Sequence, residues 1–325
     1  MSRVDETRQG VELTHLDEPL FPDAGVSKRQ FVDYLDAIHD RIIPAVRDRP
    51  LSVIRTTGGQ APFMQKNLPK YTPPWVPRVR MWAEASHRDV DYALCNDRRT
   101  LLWFANQRAV ELHVTLGLAD RLEHPTYLVL DLDPPPPVVG AEGNGFKAAV
   151  AAAQLVRQAL TDVGLDGAVK TSGAKGIHVF VPLAAGVDVE DAAAATRAIA
   201  RRAELLDPAV ATTAFLKADR GGKVFVDPTR AGGATVVAAY SPRARPGVPV
   251  SYPVGWDALD DVMPADFTVT NAAGLLDGAD PWAATMPAPQ DLPADLVAEG
   301  HALPIPRVAA MHEGKRRKRE RAKET

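Results

Sequence analysis

The chain has 325 residues, 46% of them apolar and 24% charged, the proportions of a globular protein with enough chain for one large core or two lobes. No apolar run is long enough for a membrane span, Met1 to Gly10 is too polar for a secretory leader, and a lone cysteine, Cys95, excludes an internal disulfide or a cysteine-rich zinc site. The net charge of -3 hides an asymmetry, because residues 315–325 (KRRKRERAKET) carry seven basic and two acidic side chains. The body is therefore acidic, and any nucleic-acid binding must come from local grooves rather than from overall charge. The tail itself is either a solvated end or a loose phosphate anchor. A cytoplasmic, nucleoid-associated protein without a membrane contact is expected.

Residues 1–20 form an arm leading into Phe21-Pro22. Ser27 and Gln30 have capping-box spacing, and Phe31, Leu35, Ile38 and Ile42 make a helical stripe. Leu51 to Arg55 alternates as a strand does, and a long Gly- and Pro-rich loop is predicted from Thr56 to Pro77. Asp97 and Thr100 start a second helix, with Leu102, Ala105, Ala109 and Leu112 on one face and an end near His113. Tyr127 to Asp133 is a strand, stopped by Pro134 to Pro137. An alanine-rich helix covers Phe146 to Val163, two short strands cover Val169–Thr171 and Ile177–Val181, and Asp188 caps a helix running to about Leu206. Val224 to Asp227 and Thr235 to Ala239 are further strands. The sum is an α/β chain of short strands and several helices.

Three segments carry chemistry. On a strand, Asp131 and Asp133 project to one face while Leu130 and Leu132 enter the core. Two carboxylates that close repel unless a cation neutralises them, and oxygen ligands favour Mg²⁺ or Mn²⁺. Ser172-Gly-Ala-Lys-Gly176 allows a tight turn whose N–H groups, Ser172 and Lys175 suit a phosphate, with His178 alternating against Ile177 and Val179. Asp227 supplies a third carboxylate, completing the set for two-metal phosphoryl transfer. Arg243 and Arg245, two apart near a turn, suit bidentate phosphate contact or simple solvent exposure.

Taken in order, LFPDAGVSK, FMQKN with PPWV, NDRRTLLWFANQRAVELHV, YLVLDLDPP, KTSGAKGIHVFVPL, KADRGGKVFVD and AYSPRARPGVPVSYPV strongly resemble the polymerase domain of bacterial ligase D, a branch of the archaeo-eukaryotic primase superfamily. The resemblance runs from Leu20 to Trp282. It implies a primase-like fold in which an N-terminal α/β lobe packs with an RRM-like catalytic lobe. Residues 1–290 would form that polymerase domain, and residues 291–325 a Pro/Ala-rich and basic tail. It further implies that Asp131, Asp133 and Asp227 hold two Mn²⁺ or Mg²⁺ ions. Lys66, His113, Ser172, Lys175, His178 and Arg243 or Arg245 would surround the nucleotide, with His113 near its sugar. Phe63, paired with Met64, would stack on the template, and Lys28 would bind a downstream 5′-phosphate.

The function so implied is template-dependent addition of nucleotides, ribonucleotides preferred, in DNA repair: filling gaps or extending primers, with DNA and NTP or dNTP as partners. One alternative is an end-joining polymerase acting with Ku and a separate ligase. Another is a non-catalytic DNA-binding module, which the intact carboxylate set opposes. The chain departs from the family in several places. Glu18 replaces a lysine of the arm motif, where a carboxylate would repel a 5′-phosphate. The segment between Trp75 and Tyr92 is short and carries Glu84, Asp89 and Asp91. Ala231 replaces the usual Asn, and no nucleotidyl-lysine KxDG motif of a ligase occurs.

Overall fold

The computed structural model describes residues 4–57, 60–83, 87–136, 144–231 and 234–305. In chain order the strands are β1 (Val4–Arg8), β2 (Val11–Thr14), β3 (Pro19–Phe21), β4 (Val26–Ser27), β5 (Leu51–Thr57), β6 (Gln60–Gln65), β7 (Arg78–Ala83), β8 (Arg88–Ala93), β9 (Ala109–Val114), β10 (Tyr127–Asp133), β11 (Ala168–Thr171), β12 (Ile177–Pro182), β13 (Ala211–Thr212), β14 (Val224–Asp227), β15 (Val236–Val237) and β16 (Pro253–Val254). The helices are α1 (Lys28–Ala37), α2 (His39–Val46), α3 (Arg98–Asn106), α4 (Asn144–Thr161), α5 (Val189–Leu206), α6 (Ala272–Leu276), α7 (Pro281–Thr285) and α8 (Ala294–Ala302). The chain divides into two compact units. The basic tail at 315–325 and Glu84 lie outside the described residues.

The first unit comprises Met1–Leu122, Val169–Ala174 and Gly233–Thr285. Its main sheet has the order β15-β9-β5-β8-β7, with β6 on β5, and β11 pairs with β16 elsewhere in the unit. The Ser27 capping box opens α1, as its spacing predicts. The expected stripe Phe31, Leu35, Ile38 and Ile42 is buried, although Ile38 is the joint between α1 and α2.

Two expectations fail here. The predicted loop from Thr56 to Pro77 contains β6, an antiparallel partner of β5 in which Phe63 faces Arg55. Its Pro62 is tolerated because β6 pairs only with β5 among the described strands, and an edge strand can spare an N–H. The second helix is correctly capped, Asp97 accepting from the Thr100 N–H at 2.7 Å, but ends at Asn106. Arg108 then takes a left-handed φ of 57°, and Ala109 to Val114 is a strand. Val110, Leu112 and Val114 alternate with Ala109, Glu111 and His113 as a strand does, but Ala109 and Leu112 also continue the stripe of the preceding helix, and that overlap hid the strand.

The second unit comprises Glu123–Ala168, Lys175–Gly232 and Met286–Thr325. Its strands run in the order β13-β14-β10-β12, antiparallel except for β13 with β14. Leu128, Leu130 and Leu132 of β10 are fully buried, each contributing about 1.5–3 kcal/mol. Helices α4 and α5 pack against these strands through alanines such as Ala149, Ala153, Ala195 and Ala198, whose small side chains allow close approach. Helix α8, on the tail side of the expected boundary at 290, packs on α5 and is tied to it by Arg202 with Glu299 at 2.6 Å. No helix among the described residues is long and apolar enough to cross a membrane.

Candidate active site

The chemistry-bearing residues fall into two clusters, one in each unit. In the second unit Asp131 stands directly opposite Asp227 on β14 and opposite His178 on β12. Cross-strand partners share a face, so the three side chains form a row across the sheet. Asp133, two residues along β10, extends that row on the same side. The sequence therefore dictates the cluster once the register is set: a shift of one residue would send both β10 carboxylates into the core.

A cation that sequence reasoning missed enters this row. Arg230, in a short 3-10 turn over Thr229–Ala231, donates to Asp131 Oδ2 at 2.5 Å and lies 3.5 Å from Asp227 Oδ2. Asp227 Oδ1 accepts from the Thr229 N–H at 2.9 Å and from its hydroxyl at 2.6 Å, which fixes the carboxylate. His178 Nε2 is 3.4 Å from Asp131 Oδ1. Burial acts to raise the Asp131 pKa, but His178 and Arg230 outweigh it and hold the group ionised below the usual carboxylate range. Asp133 shows the opposite direction: burial, then repulsion from Asp131, pushes its pKa up.

Among the described residues no three His, Cys, Asp or Glu side chains converge on their own as a metal centre. The donor set nevertheless suits a hard divalent cation. Three crowded carboxylates share a face, one is destabilised as an anion by the others, and the guanidinium of Arg230 stands where positive charge is required. Lys175 donates to the Pro134 carbonyl at 3.3 Å and is one of the charges that lower the Asp133 pKa. Gly176 is required beside β10, because a Cβ there would run into the Leu132 carbonyl oxygen.

The first unit holds a different cluster. On β9, Glu111 and His113 are two apart and share a face, with His113 Nε2 2.8 Å from Glu111 Oε2. Arg243 Nε lies 3.0 Å from the same oxygen, and the Ala244 N–H donates to Oε1 at 3.0 Å. Arg243 also donates to the Ser172 carbonyl. Gly173 adopts a φ of 65°, and a Cβ on it would come within 2.7 Å of Arg243 Cγ and 2.8 Å of the Ser251 nitrogen. Burial opposes the ionisation of Glu111, but the hydrogen bond from His113 and the charge of Arg243 lower its pKa to about 2. Glu111 was not singled out from the sequence. The signal was present in Glu-Leu-His, whose outer residues fall on one face of a strand but not of the helix predicted there.

The other expected contact residues are distributed between the units. Ser172 joins Arg243 in the first unit, its hydroxyl accepting from the Ala174 N–H at 3.2 Å, whereas Lys175 and His178 lie with the carboxylates of the second. Arg245 follows Arg243 by two residues, its N–H donating to the Arg243 carbonyl at 2.9 Å. It lines a cavity of about 350 Å³ together with Arg108, Phe21 and Pro62. Lys28, expected to meet a phosphate, is only 2% exposed and donates to the Thr14 carbonyl at 2.6 Å and Asn106 Oδ1 at 2.7 Å. Burial, then repulsion from Arg108, lowers its pKa to about 8. Glu18 is paired with Arg108 at 2.5 Å and His15 at 2.7 Å. Phe63 and Met64 are adjacent on β6 and both exposed, and Lys66 follows them at the surface.

These features are those of a primase-type polymerase domain, and the comparisons with known proteins agree. Residues 27–282 match the family described as LigD, primase-polymerase domain. The multifunctional non-homologous end joining DNA repair protein LigD of Mycobacterium tuberculosis (strain H37Rv) is 34% identical over 268 residues, which cover 78% of this chain and 34% of that protein. The bifunctional non-homologous end joining protein LigD of Bacillus subtilis (strain 168) is 31% identical over 264 residues, covering 80% and 41% respectively. The solved polymerase domain from Mycobacterium tuberculosis ligase D in complex with DNA matches with a TM-score of 0.75 and 29% identity, over 90% of this chain and 99% of that one. The chain spans about a third of the length of its mycobacterial relatives. It belongs to the LigD primase-polymerase domain family, whose members are nucleotidyltransferases with an archaeo-eukaryotic primase-like fold.

Proposed function

We propose that this protein adds nucleotides to the 3′ end of a DNA strand under the direction of a template. The observation that carries the reading is the register of the second unit, which sets Asp131, Asp227 and His178 in one row with Asp133 beside it. Asp131, Asp133 and Asp227 would hold the divalent ions, Mn²⁺ or Mg²⁺. Such ions, when bound, neutralise triphosphate charge and acidify the attacking hydroxyl. The protein's own part is to keep the three carboxylates ionised and aligned. Arg230 and His178 favour the anion of Asp131, and Thr229 fixes the rotamer of Asp227. Lys175 and Arg230 are two cations beside the row that suit phosphate oxygens.

In the first unit Glu111 orients His113 and Arg243 at once. An imidazole held by a carboxylate is suited to read a sugar hydroxyl, which supports a preference for ribonucleotides. Arg243 and Ser172 suit the phosphates. The names of the relatives, all end-joining proteins, favour DNA-break repair as the setting over general primer extension, and make Ku and a ligase the partners to test. The test is primer extension on open and gapped DNA, with NTPs against dNTPs and Mn²⁺ against Mg²⁺. Templated addition with NTPs favoured is expected. A wild-type enzyme that adds nothing, or that favours dNTPs, would contradict the catalytic or the sugar-reading part respectively.

A further inference from the structure

The first unit also presents an aromatic surface. Tyr71, in the turn between β6 and β7, is 60% exposed. Its ring is nevertheless held. Arg55 Nη1 donates to the Tyr71 hydroxyl at 2.9 Å and to Gln65 Oε1 at 2.9 Å, while Arg55 Nε donates to the Gln107 carbonyl at 2.9 Å. The same guanidinium carbon lies 6.0 Å from the centroid of the Phe63 ring, which is 41% exposed. One clamped arginine thus serves two exposed rings. The turn that carries Tyr71 is stiff, with prolines at 69, 73 and 74 and the Thr72 hydroxyl donating to the Pro69 carbonyl at 2.6 Å.

An exposed tyrosine hydroxyl needs no protein partner, because water satisfies it. The bond to Arg55 therefore does not offset a burial cost; its effect is to hold the tip of a ring left open to solvent. Aromatic faces held open and rigid are platforms for flat ligands, and nucleobases stack on them whatever their sequence. The charge around the rings agrees. Lys66 and Lys70 are exposed and make no hydrogen bond or ion pair with the described residues, so both ammonium groups remain available to a phosphate backbone.

We propose that Tyr71 is a second base-stacking face beside Phe63 for an unpaired stretch of nucleic acid, that Arg55 is the positioning residue holding both rings, and that Lys66 and Lys70 meet the strand's phosphates. The proposal rests on the templated-polymerase reading only for the identity of that strand, the template. The stacking itself is independent of catalysis.

The experiment uses the full chain without nucleotide or divalent ion. A DNA hairpin with a single-stranded 5′ extension carrying 2-aminopurine is compared with the same hairpin made blunt. Wild type is expected to bind the extended hairpin more tightly and to quench the 2-aminopurine. Tyr71→Ala should lose about tenfold in affinity for the extended hairpin and much of the quenching. Its affinity for the blunt hairpin, its thermal midpoint and its salt slope should stay unchanged. Lys70→Ala should make the salt slope shallower and keep the quenching. Arg55→Gln should reduce the quenching more than it reduces the affinity, because it frees the rings without removing them. Unchanged affinity and quenching in Tyr71→Ala, or an equal loss for both hairpins, overturns the proposal. Neither outcome touches Asp131-dependent extension, which fails or stands separately.

Discussion

The carboxylates of the two units are used in opposite ways. Glu111 in the first unit is saturated: it accepts from His113 and the Ala244 N–H and pairs with Arg243, so its charge serves to orient its neighbours. Asp131, Asp133 and Asp227 in the second unit crowd one face of a sheet with Arg230 as their nearest cation, and Asp133 is disfavoured as an anion. A saturated carboxylate positions other groups, whereas a crowded set is left seeking charge. The comparison separates two kinds of loss on mutation: loss of reaction in one unit, and loss of alignment and stability in the other.

The largest effect is expected from the crowded row. Asp131→Ala or Asp227→Ala should reduce nucleotide addition by about 10³-fold or more, because several kcal/mol of transition-state charge stabilisation go with the ligand. The fold should persist, but the thermal midpoint of Asp131→Ala should fall, because the change strips Arg230 and His178 of the carboxylate they pair with. Extension at the wild-type rate by either variant would break the comparison on this side.

Next comes the saturated group. Glu111→Ala leaves the part-buried Arg243 beside no anion and should cost up to about 3 kcal/mol of stability, with weaker nucleotide binding as His113 and Arg243 lose their common anchor. The pH dependence has a definite sign. The folded pKa of Glu111, about 2, lies below its ordinary value of 4.5. Its contribution is therefore fully present above the ordinary value and is lost as pH falls from there toward about 2. Thermal unfolding between pH 5 and pH 2 should accordingly be less steep for Glu111→Gln than for wild type. Parallel curves would show that Glu111 does not act as an anion.

The smallest effect concerns a further carboxylate, Glu18, which is exposed and bonded to Arg108 and His15. Surface charge contacts are weak and screened by salt. Arg108 already offsets part of the repulsion that Glu18 would exert on a 5′-phosphate. Glu18→Lys should therefore raise the preference for a phosphorylated gap by about tenfold or less, measured as binding to one gapped duplex with and without its 5′-phosphate. An unaltered ratio would place phosphate recognition elsewhere, for instance at the cavity lined by Arg108 and Arg245.

What the sequence determined by itself was local. The cap at Ser27, the cap at Asp97, the span Tyr127–Asp133 and the helix from Asp188 to Leu206 all follow from spacing of two to four residues, and the structure has them where spacing puts them. The shared face of Asp131 and Asp133 is of the same kind, since strand period alone sets it. Tertiary structure decided everything that depends on a partner distant in the chain. That Asp227 lies opposite Asp131, that Arg230 reaches both, that Glu111 holds Arg243, and that Arg55 clamps Tyr71 are matters of register and packing. The false helix over Ala109–Val114 has the same cause. Its alternation of Val110, Leu112 and Val114 with Ala109, Glu111 and His113 spans only six residues and competes with a helical stripe, and pairing with β5 and β15 decides between the two. Lys28 is the sharpest case. Nothing in its local sequence distinguishes an exposed ammonium from one enclosed by Thr14 and Asn106, because desolvation is a property of the surroundings and not of the residue.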